Sequence, residues 1–380
     1  MLALVVIART AVGFQFQSVA AVGPFLVADL DLTYAALGTL IGLYQLPGAA
    51  LALPGGLLGA RFGDRAVVLL GLGFMTAGGV GVAMGDSWLV AAGGRVVSGA
   101  GAVLVNMQLA KIVTDWFAER ELATALGFML SSWPLGIWLG LAALGAVARA
   151  RSWRAAILVS TLAAALAFLL MLLGYRDPGA PERPPAARRW WIITGRETGL
   201  VMLAGVAWAS LNAGFILYLS FGPTLLLERG ATVGGANLAV GWASLFSIVT
   251  VPLGGALLDR VRRRDVVITL GLVGPAAACG ALAIGGPATL WSVLLGLLIA
   301  PVAGVVALPG EALSPPSRNT GFGLFYTVFY AGMALTPAVA GYLVDARGEP
   351  AALWLAMGLW LAALPALGIF RALQRRWSTA

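Results

Sequence analysis

Gly56-Leu57-Leu58-Gly59-Ala60-Arg61-Phe62-Gly63-Asp64-Arg65 is a short polar break between two long apolar runs. About 199 positions later Gly255-Ala256-Leu257-Leu258-Asp259-Arg260-Val261-Arg262-Arg263-Arg264 repeats its order: a Gly, a Leu, an acid or its vacancy, an Arg, then a basic cluster. Glycines in such a break let two helices approach, arginines face anionic headgroups and helix C-termini, and a carboxylate can pair with them. A tight turn between two membrane helices is therefore expected at each copy. The fixed long period makes the chain two copies of one unit.

Composition agrees. Apolar residues are 60% of the chain and charged residues 11%, with a mean hydropathy of +0.92; soluble domains carry about 25% charged residues. The chain is expected in a bilayer. Its net charge of +8 lies in short loops between apolar runs, which fits anionic lipid as the partner and not nucleic acid. There is no histidine, so a His proton relay, a His-based metal site and a Ser-His nucleophile are excluded. Cys279 is the single cysteine and cannot close a disulfide within the chain. No Gly-Lys-Ser phosphate loop is present, so ATP is not expected to drive anything here. Neither enzyme activity nor a cofactor nor a metal is expected.

The opening Leu2-Ala3-Leu4-Val5-Val6-Ile7 has no basic segment before it and continues apolar to about Leu26, which predicts a first span and not a cleaved signal. Further apolar runs complete six spans at approximately 3–27, 35–58, 66–85, 88–112, 121–147 and 153–174. Six more follow at roughly 198–222, 233–258, 265–284, 288–310, 320–344 and 350–370. Between the sets, Arg176-Asp177-Pro178-Gly179-Ala180-Pro181-Glu182-Arg183-Pro184-Pro185 and Arg188-Arg189 are too polar and proline-rich to span. The expected organisation is a bundle at 1–174, a cytoplasmic linker at 175–196 and a second bundle with a short tail at 197–380. If both termini are cytoplasmic, 17 of the 24 cationic residues fall on the inner side. Arg149, Arg151, Arg154, Arg229 and Arg347 fall outside, and Arg9 and Arg95 lie within spans. That asymmetry predicts cytoplasmic termini, and a bacterial inner membrane is the expected location. The outer cluster Arg149 to Arg154 runs against the rule, unless it gathers anions at a mouth.

The repeated break resembles the loop between helices 2 and 3, and its copy between helices 8 and 9, of the major facilitator superfamily. The resemblance implies an all-α membrane fold of twelve transmembrane helices in two pseudo-symmetric six-helix bundles, a transporter of small solutes, and a monomer. It also implies that the break is a conformational latch holding the bundles together, here formed by Gly56, Arg61, Asp64, Arg65, Gly255, Asp259 and Arg260. In the first copy Ala60 occupies the usual Asp position, leaving Asp64 to supply the charge. Gly13-Phe14-Gln15-Phe16-Gln17-Ser18 is similar to bacterial permeases near the cyanate and nitrate porters. The nitrate porters' Gly- and Asn-rich signature in helix 5 and arginines in helices 2 and 8 are missing, so nitrate itself is not expected. Helices 5 and 11 carry Gly127, Pro134, Gly136 and Gly140, and Gly321, Gly323, Gly332, Pro337 and Gly341, in corresponding places. Such residues permit close and compliant packing between repeats.

An ionisable side chain inside a span costs several kcal/mol unless it faces a partner or a cavity, so the interior polar residues are the site candidates. None of the sixteen carboxylates lies in mid-span. The interior cations are Arg9 and Arg95. At about 100° per residue, Gly99, Ala102 and Asn106 share the face of Arg95, which predicts a cavity wall; Arg95 also resembles the arginine-and-glycine motif of the family's helix 4. Each cation has a structural alternative: Arg9 can snorkel to the surface, and Arg95 can pair with backbone carbonyls. Gly13, Phe16 and Ala20 share the face of Arg9, with Gln17 at its flank. In the second half Trp208, Asn212 and Phe215, with Tyr326 and Tyr330 one turn apart, offer an apolar wall with polar tips; Trp133 is a further candidate. A secondary transporter moving a small anionic solute by rocker-switch alternating access is expected, by symport with protons or uncoupled. The alternatives are a proton-driven exporter of drugs or metabolites using Glu311 or Glu197, and a non-transporting sensor or binding protein.

Overall fold

The computed structural model describes residues 1–52, 61–117, 121–176, 193–261, 263–300 and 303–378, and their side chains except those of 123, 259, 303, 377 and 378. Helices account for the fold, with no strand among the described residues. Span 1 is Leu2–Ala21 with Gly23–Leu30, and span 2 is Tyr34–Leu43 with Leu46–Leu51. Spans 3 and 4 are Asp64–Ala83 and Trp88–Phe117. Span 5 runs from Leu122–Leu139 through a π turn at Gly140–Leu144 into Gly145–Ala150, and span 6 is Trp153–Gly174. Spans 7, 8 and 9 are Gly195–Glu228, Val233–Arg260 and Arg264–Ile284. Span 10 is Ala288–Leu298 with Ala303–Ala312, span 11 Arg318–Arg347 and span 12 Pro350–Ser378.

Among the described residues ten helices are individually long and apolar enough to cross a bilayer, and the shorter helices Tyr34–Leu43 with Leu46–Leu51, and Ala288–Leu298 with Ala303–Ala312, occupy the places of spans 2 and 10. The 120° bend between Gly23–Leu30 and Tyr34–Leu51 is the turn joining spans 1 and 2. There Asp31 takes the left-handed φ of 47° that reverses the chain. Spans 1, 2 and 10, expected to be continuous, are each broken. In the first two the restart places Pro24 or Pro47 in the first helical turn, where the missing N–H costs nothing. Several starts are capped by the residue types that favour the cap position: the side chains of Thr33, Ser152, Thr194 and Thr232 each accept from the backbone N–H three residues on.

Packing displays the duplication. Span 1 lies on spans 5 and 6, and span 3 on spans 4 and 6; span 7 lies on 11 and 12, and span 9 on 10 and 12. Adding six to each member of the first set gives the second. The halves meet where span 2 packs on span 11 and span 8 on span 5, a pair of contacts that the same relation exchanges. The chain ends lie on one face, here the terminus face. Residues 31–33, 84–87, 151–152, 229–232, 285–287 and 348–349 turn on the opposite, distal face. Among the described residues, several hydrogen bonds cross between the halves near the membrane middle and toward the distal face. Ser131 Oγ donates to Ile248 O at 3.1 Å, Ser244 Oγ to Pro134 O at 2.8 Å, Gln17 Nε2 to Leu219 O at 3.3 Å and Asn237 Nδ2 to Ala21 O at 3.0 Å. Of the small residues expected at the interface, Gly341 lies against the Tyr34 carbonyl across it. Gly136, Gly140, Gly321 and Gly332 instead face Thr10, Gln17, Leu313 and Ala209 within their own halves.

The distal arginines have partners that sequence could not supply. Arg154 bridges Asp29 at 2.7 Å and Asp86 at 3.2 Å, joining spans 1, 3 and 6, and Arg229 donates to the carbonyls of Leu282 and Ala283. Arg154 is thus a tie between span ends, not a free cation at a mouth. Buried Trp153 also donates its Nε1–H to Asp29 at 2.8 Å. Asp29→Ala removes the acceptor of that indole as well as the Arg154 pair, so thermal denaturation in detergent should show a melting temperature below the parent's. Asp86→Ala, which breaks only an exposed pair, should cost under about 1 kcal/mol.

Candidate functional site

The two interior arginines have opposite surroundings. Arg95, from span 4, is 1% exposed. Its Nε donates to Leu40 O at 3.0 Å, Nη1 to Gln15 O at 3.1 Å and Nη2 to Phe16 O at 3.1 Å. The Tyr44 ring lies 4.4 Å from the guanidinium carbon. Span 1 and span 2 are thereby pinned to span 4 through one side chain. The face shared with Gly99, Ala102 and Asn106, expected to line a cavity, is instead packed at Arg95, Gly99 and Ala102. Gly99 lies against the Tyr44 carbonyl and Ala102 is buried, while half-buried Asn106 keeps an unpartnered Oδ1.

Arg9, from span 1, is half-buried, and its Nε is buried without a hydrogen-bond partner. Tyr326 and Tyr330 of span 11 lie within electrostatic range of it, across the interface between halves. Around these two phenols span 11 builds an aromatic wall. Ring centroids are 5.1 Å apart for Phe325 and Tyr326, 6.4 Å for Tyr326 and Tyr330, and 5.0 Å for Phe329 and Tyr330. Trp208 of span 7 extends it, 6.3 Å from Phe329. The Thr327 Oγ1 on the same helix is also buried and unpartnered.

The remaining candidates separate from this group. Phe16 and Trp133 stack at 5.4 Å, and Phe16 meets Tyr44 at 5.6 Å, forming a cluster in the first half. Gln17 is fully buried, with its amide nitrogen on Leu219 O and its Oε1 unpartnered. Asn212 donates to Trp208 O within its own helix at 2.8 Å, and Phe215 is buried. Thus the structure brings Arg9, Tyr326, Tyr330 and, through Phe329, Trp208 to one place. Sequence reasoning missed Phe329 and Tyr44. Phe329 was available from the run Phe325-Tyr326-Thr327-Val328-Phe329-Tyr330, whose aromatics recur at helical spacing. Nothing in the sequence pairs Tyr44 with Arg95.

The residues expected to form the latch have these described partners. Asp64 is paired with Lys111, which also meets Asp115 at 3.1 Å, and Arg65 Nη2 donates to Leu172 O at 2.7 Å. Arg61 is exposed over the Phe62 ring. These named partners lie within the first half, so they tie its helices together. In the second half Arg371 of span 12 binds Asp265 at 3.0 Å and also Glu311, beside Gly255 in a cavity of about 170 Å³. Arg260 is exposed at the end of span 8. Gly56 lies outside the described residues, and the Asp259 side chain outside the described side chains.

A sequence model of the Major Facilitator Superfamily matches residues 5–221 and again residues 200–378. The hexuronate transporter of Bacillus subtilis (strain 168) is 22% identical over 374 residues, covering 92% of this chain and 88% of that one. An uncharacterized MFS-type transporter of Mycobacterium tuberculosis is 32% identical over 168 residues, 44% of this chain; the match spans only 28% of that relative's length. The xylose transporter of E. coli, in a partially occluded inward-open conformation, superposes with a TM-score of 0.71, covering 96% of this chain and 97% of its own at 14% identity. A nucleoside transporter superposes with a TM-score of 0.75, covering 98% and 100%, also at 14% identity. At that identity the two structures speak to the fold alone.

The contrast between the arginines predicts separable effects. Arg95→Ala removes the three hydrogen bonds and the Tyr44 contact that tie spans 1, 2 and 4, so melting in detergent should show a loss of about 3 kcal/mol or more. Arg9→Ala removes a cation with no bonded partner and should change stability by under about 1 kcal/mol.

Proposed function

The chain belongs to the Major Facilitator Superfamily, and on that premise we propose that it carries a small organic anion by alternating access of its two halves, with hexuronates the first class to test. The observation that carries this reading is the unbonded guanidinium of Arg9 at the interface between halves. A cation held in a low-dielectric setting favours an anionic guest, and a guanidinium binds a carboxylate through two parallel N–H bonds. The aromatic wall of span 11 and Trp208 suits the apolar faces of a sugar ring, while its phenols and Asn106 suit hydroxyl groups. The Bacillus relative is a transporter of hexuronates, sugar acids that agree with that chemistry.

In this reading Arg95 shapes the site by fixing spans 1 and 2, and Phe16, Trp133, Gln17, Asn212 and Phe215 support its walls. Residues 1–174 and 197–380 are the moving halves, and 175–196 links them. We read the terminus face as cytoplasmic on the excess of cationic residues in the loops of that face. The described cross-half bonds on the distal side support a state closed to the outside.

Proton-driven export has less support. Glu197 accepts five hydrogen bonds from Thr194, Ser314 and Ser317, and Glu311 is held by Arg371. Both carboxylates are engaged in holding helix ends. A proton carried along with the anion, or no coupling ion, fits better.

Uptake of labelled glucuronate and galacturonate into proteoliposomes tests the proposal, with neutral hexoses and inorganic anions for comparison. Arg9→Gln should lower kcat/KM for the accepted acid about 30-fold or more, with Arg9→Lys intermediate. Unchanged transport of every accepted anion by Arg9→Gln would refute the site. Extrusion of cationic dyes that is abolished by Glu311→Gln would favour the exporter instead.

A further inference from the structure

Span 2 starts on the distal face at Tyr34, and the first N–H groups of a helix have no partner within it. Ala36 N–H donates to Thr33 Oγ1 at 3.1 Å and Leu37 N–H to Thr33 O at 3.0 Å, as a threonine cap provides. The other two leave their own half of the molecule for a partner. Tyr34 N–H donates to Asp345 Oδ1 and Ala35 N–H to Asp345 Oδ2, each at 2.8 Å. Asp345 belongs to span 11, in the second half. Its charge also lies at the positive end of the span 2 dipole. Beside this cap the helices meet backbone to backbone. A Cβ at Gly38 would collide with the Pro337 carbonyl, and one at Gly42 with the Ala334 carbonyl.

We infer that Asp345 is the latch of the distal gate: by completing the N-terminus of span 2 from the opposite half, its carboxylate holds the path shut on that face. The inference rests on the alternating-access reading but on no particular substrate. Opening must break two charge-assisted bonds at once and pass both N–H groups to water. Asp345 is exposed, so water is at hand to receive them. That makes the closure reversible, as a gate requires, and not a permanent weld. The device is one-sided. Span 5 is the counterpart of span 11, yet it has no carboxylate from Gly140 to Arg151. At that contact the Asn237 amide on the Ala21 carbonyl crosses the interface instead.

Spin labels at Ser87→Cys and Ala231→Cys, in distal turns of the two halves, report the gate by electron–electron distance measurement in nanodiscs. Cys279 is fully buried and stays unlabelled. The labelled parent should show one short distance. Asp345→Ala should raise the ratio of long to short distances about tenfold, the shift expected from losing charge-assisted bonds at a gate. Asp345→Asn should raise it less, since an amide oxygen still accepts one N–H, and it carries the test if Asp345→Ala does not fold. Gly38→Ala leaves Asp345 in place and should lengthen the distance by wedging the helices apart. A second pair, Thr114→Cys with Ala372→Cys, should shorten on the terminus face in the same variants. The inference is overturned if Asp345→Ala and Asp345→Asn keep the parent's distances while Gly38→Ala lengthens them, or if none of the three changes them. No substrate enters the measurement, so failure of hexuronate uptake and failure of the latch are told apart.

Discussion

A guanidinium inside a membrane protein must be matched by something, and the structure depends on how each one is matched. Arg95 is matched by the protein alone: three carbonyls and one aromatic face surround it, and with them spans 1, 2 and 4 become one unit. Arg371 does the same for spans 9, 10 and 12 through two carboxylates. These anchored cations give each half the stiffness to move as a body. Arg9 differs because no hydrogen bond engages it among the described residues, and it faces the other half. In the proposed function the cargo supplies the counter-charge that this half leaves unmatched.

The duplication persists in the electrostatics even where the residues have changed. Each half places an acid in the first turn of its third helix, Asp64 or Asp265, and binds it to a cation from a neighbouring span. In the first half the cation is Lys111 of span 4. The corresponding place in span 10 holds Glu311, which would repel Asp265, and Arg371 of span 12 sits between the two carboxylates. Near the place in span 6 that corresponds to Arg371, the first half has Leu172, whose carbonyl takes Arg65. Where span 10 holds a carboxylate in place of the lysine, the cation comes from another helix and the helix ends are still tied. The linkage is conserved between halves as physics, not as sequence.

This explains what was legible from residues alone. The repeat of Gly56 to Arg65 at Gly255 to Arg264, with six apolar runs on either side of a polar linker, is a signal spread over the whole chain, and it was enough for the fold. The site required knowing what packs on a given face. Helical spacing put Arg95, Gly99, Ala102 and Asn106 on one stripe, but a stripe reads the same whether it borders a cavity or a neighbouring helix. Carbonyl acceptors carry no sequence signature, so the partners of Arg95, Arg229 and Arg65 could not be foreseen. Tyr326 and Tyr330 were found because aromatics one turn apart on a long span are visible as such. Their meeting with Arg9 depends on the arrangement of the two halves, which no local pattern encodes.

The two faces are tied by different means, and the difference bears on how such a molecule can switch. On the terminus face the named ion pairs join helices within one half, so they can persist while the halves separate. On the distal face, beside the Arg154 pairs within the first half, ties also run between halves: backbone carbonyls opposite Gly38, Gly42 and Gly341, and the Asp345 carboxylate on the N–H groups of Tyr34 and Ala35. Side chains can follow a small displacement by changing rotamer, whereas helices in backbone contact cannot. Close-packed interfaces of this kind favour discrete arrangements over continuous deformation. Opening on the distal face should therefore be all-or-none, with each half stiffened by its own anchored cation.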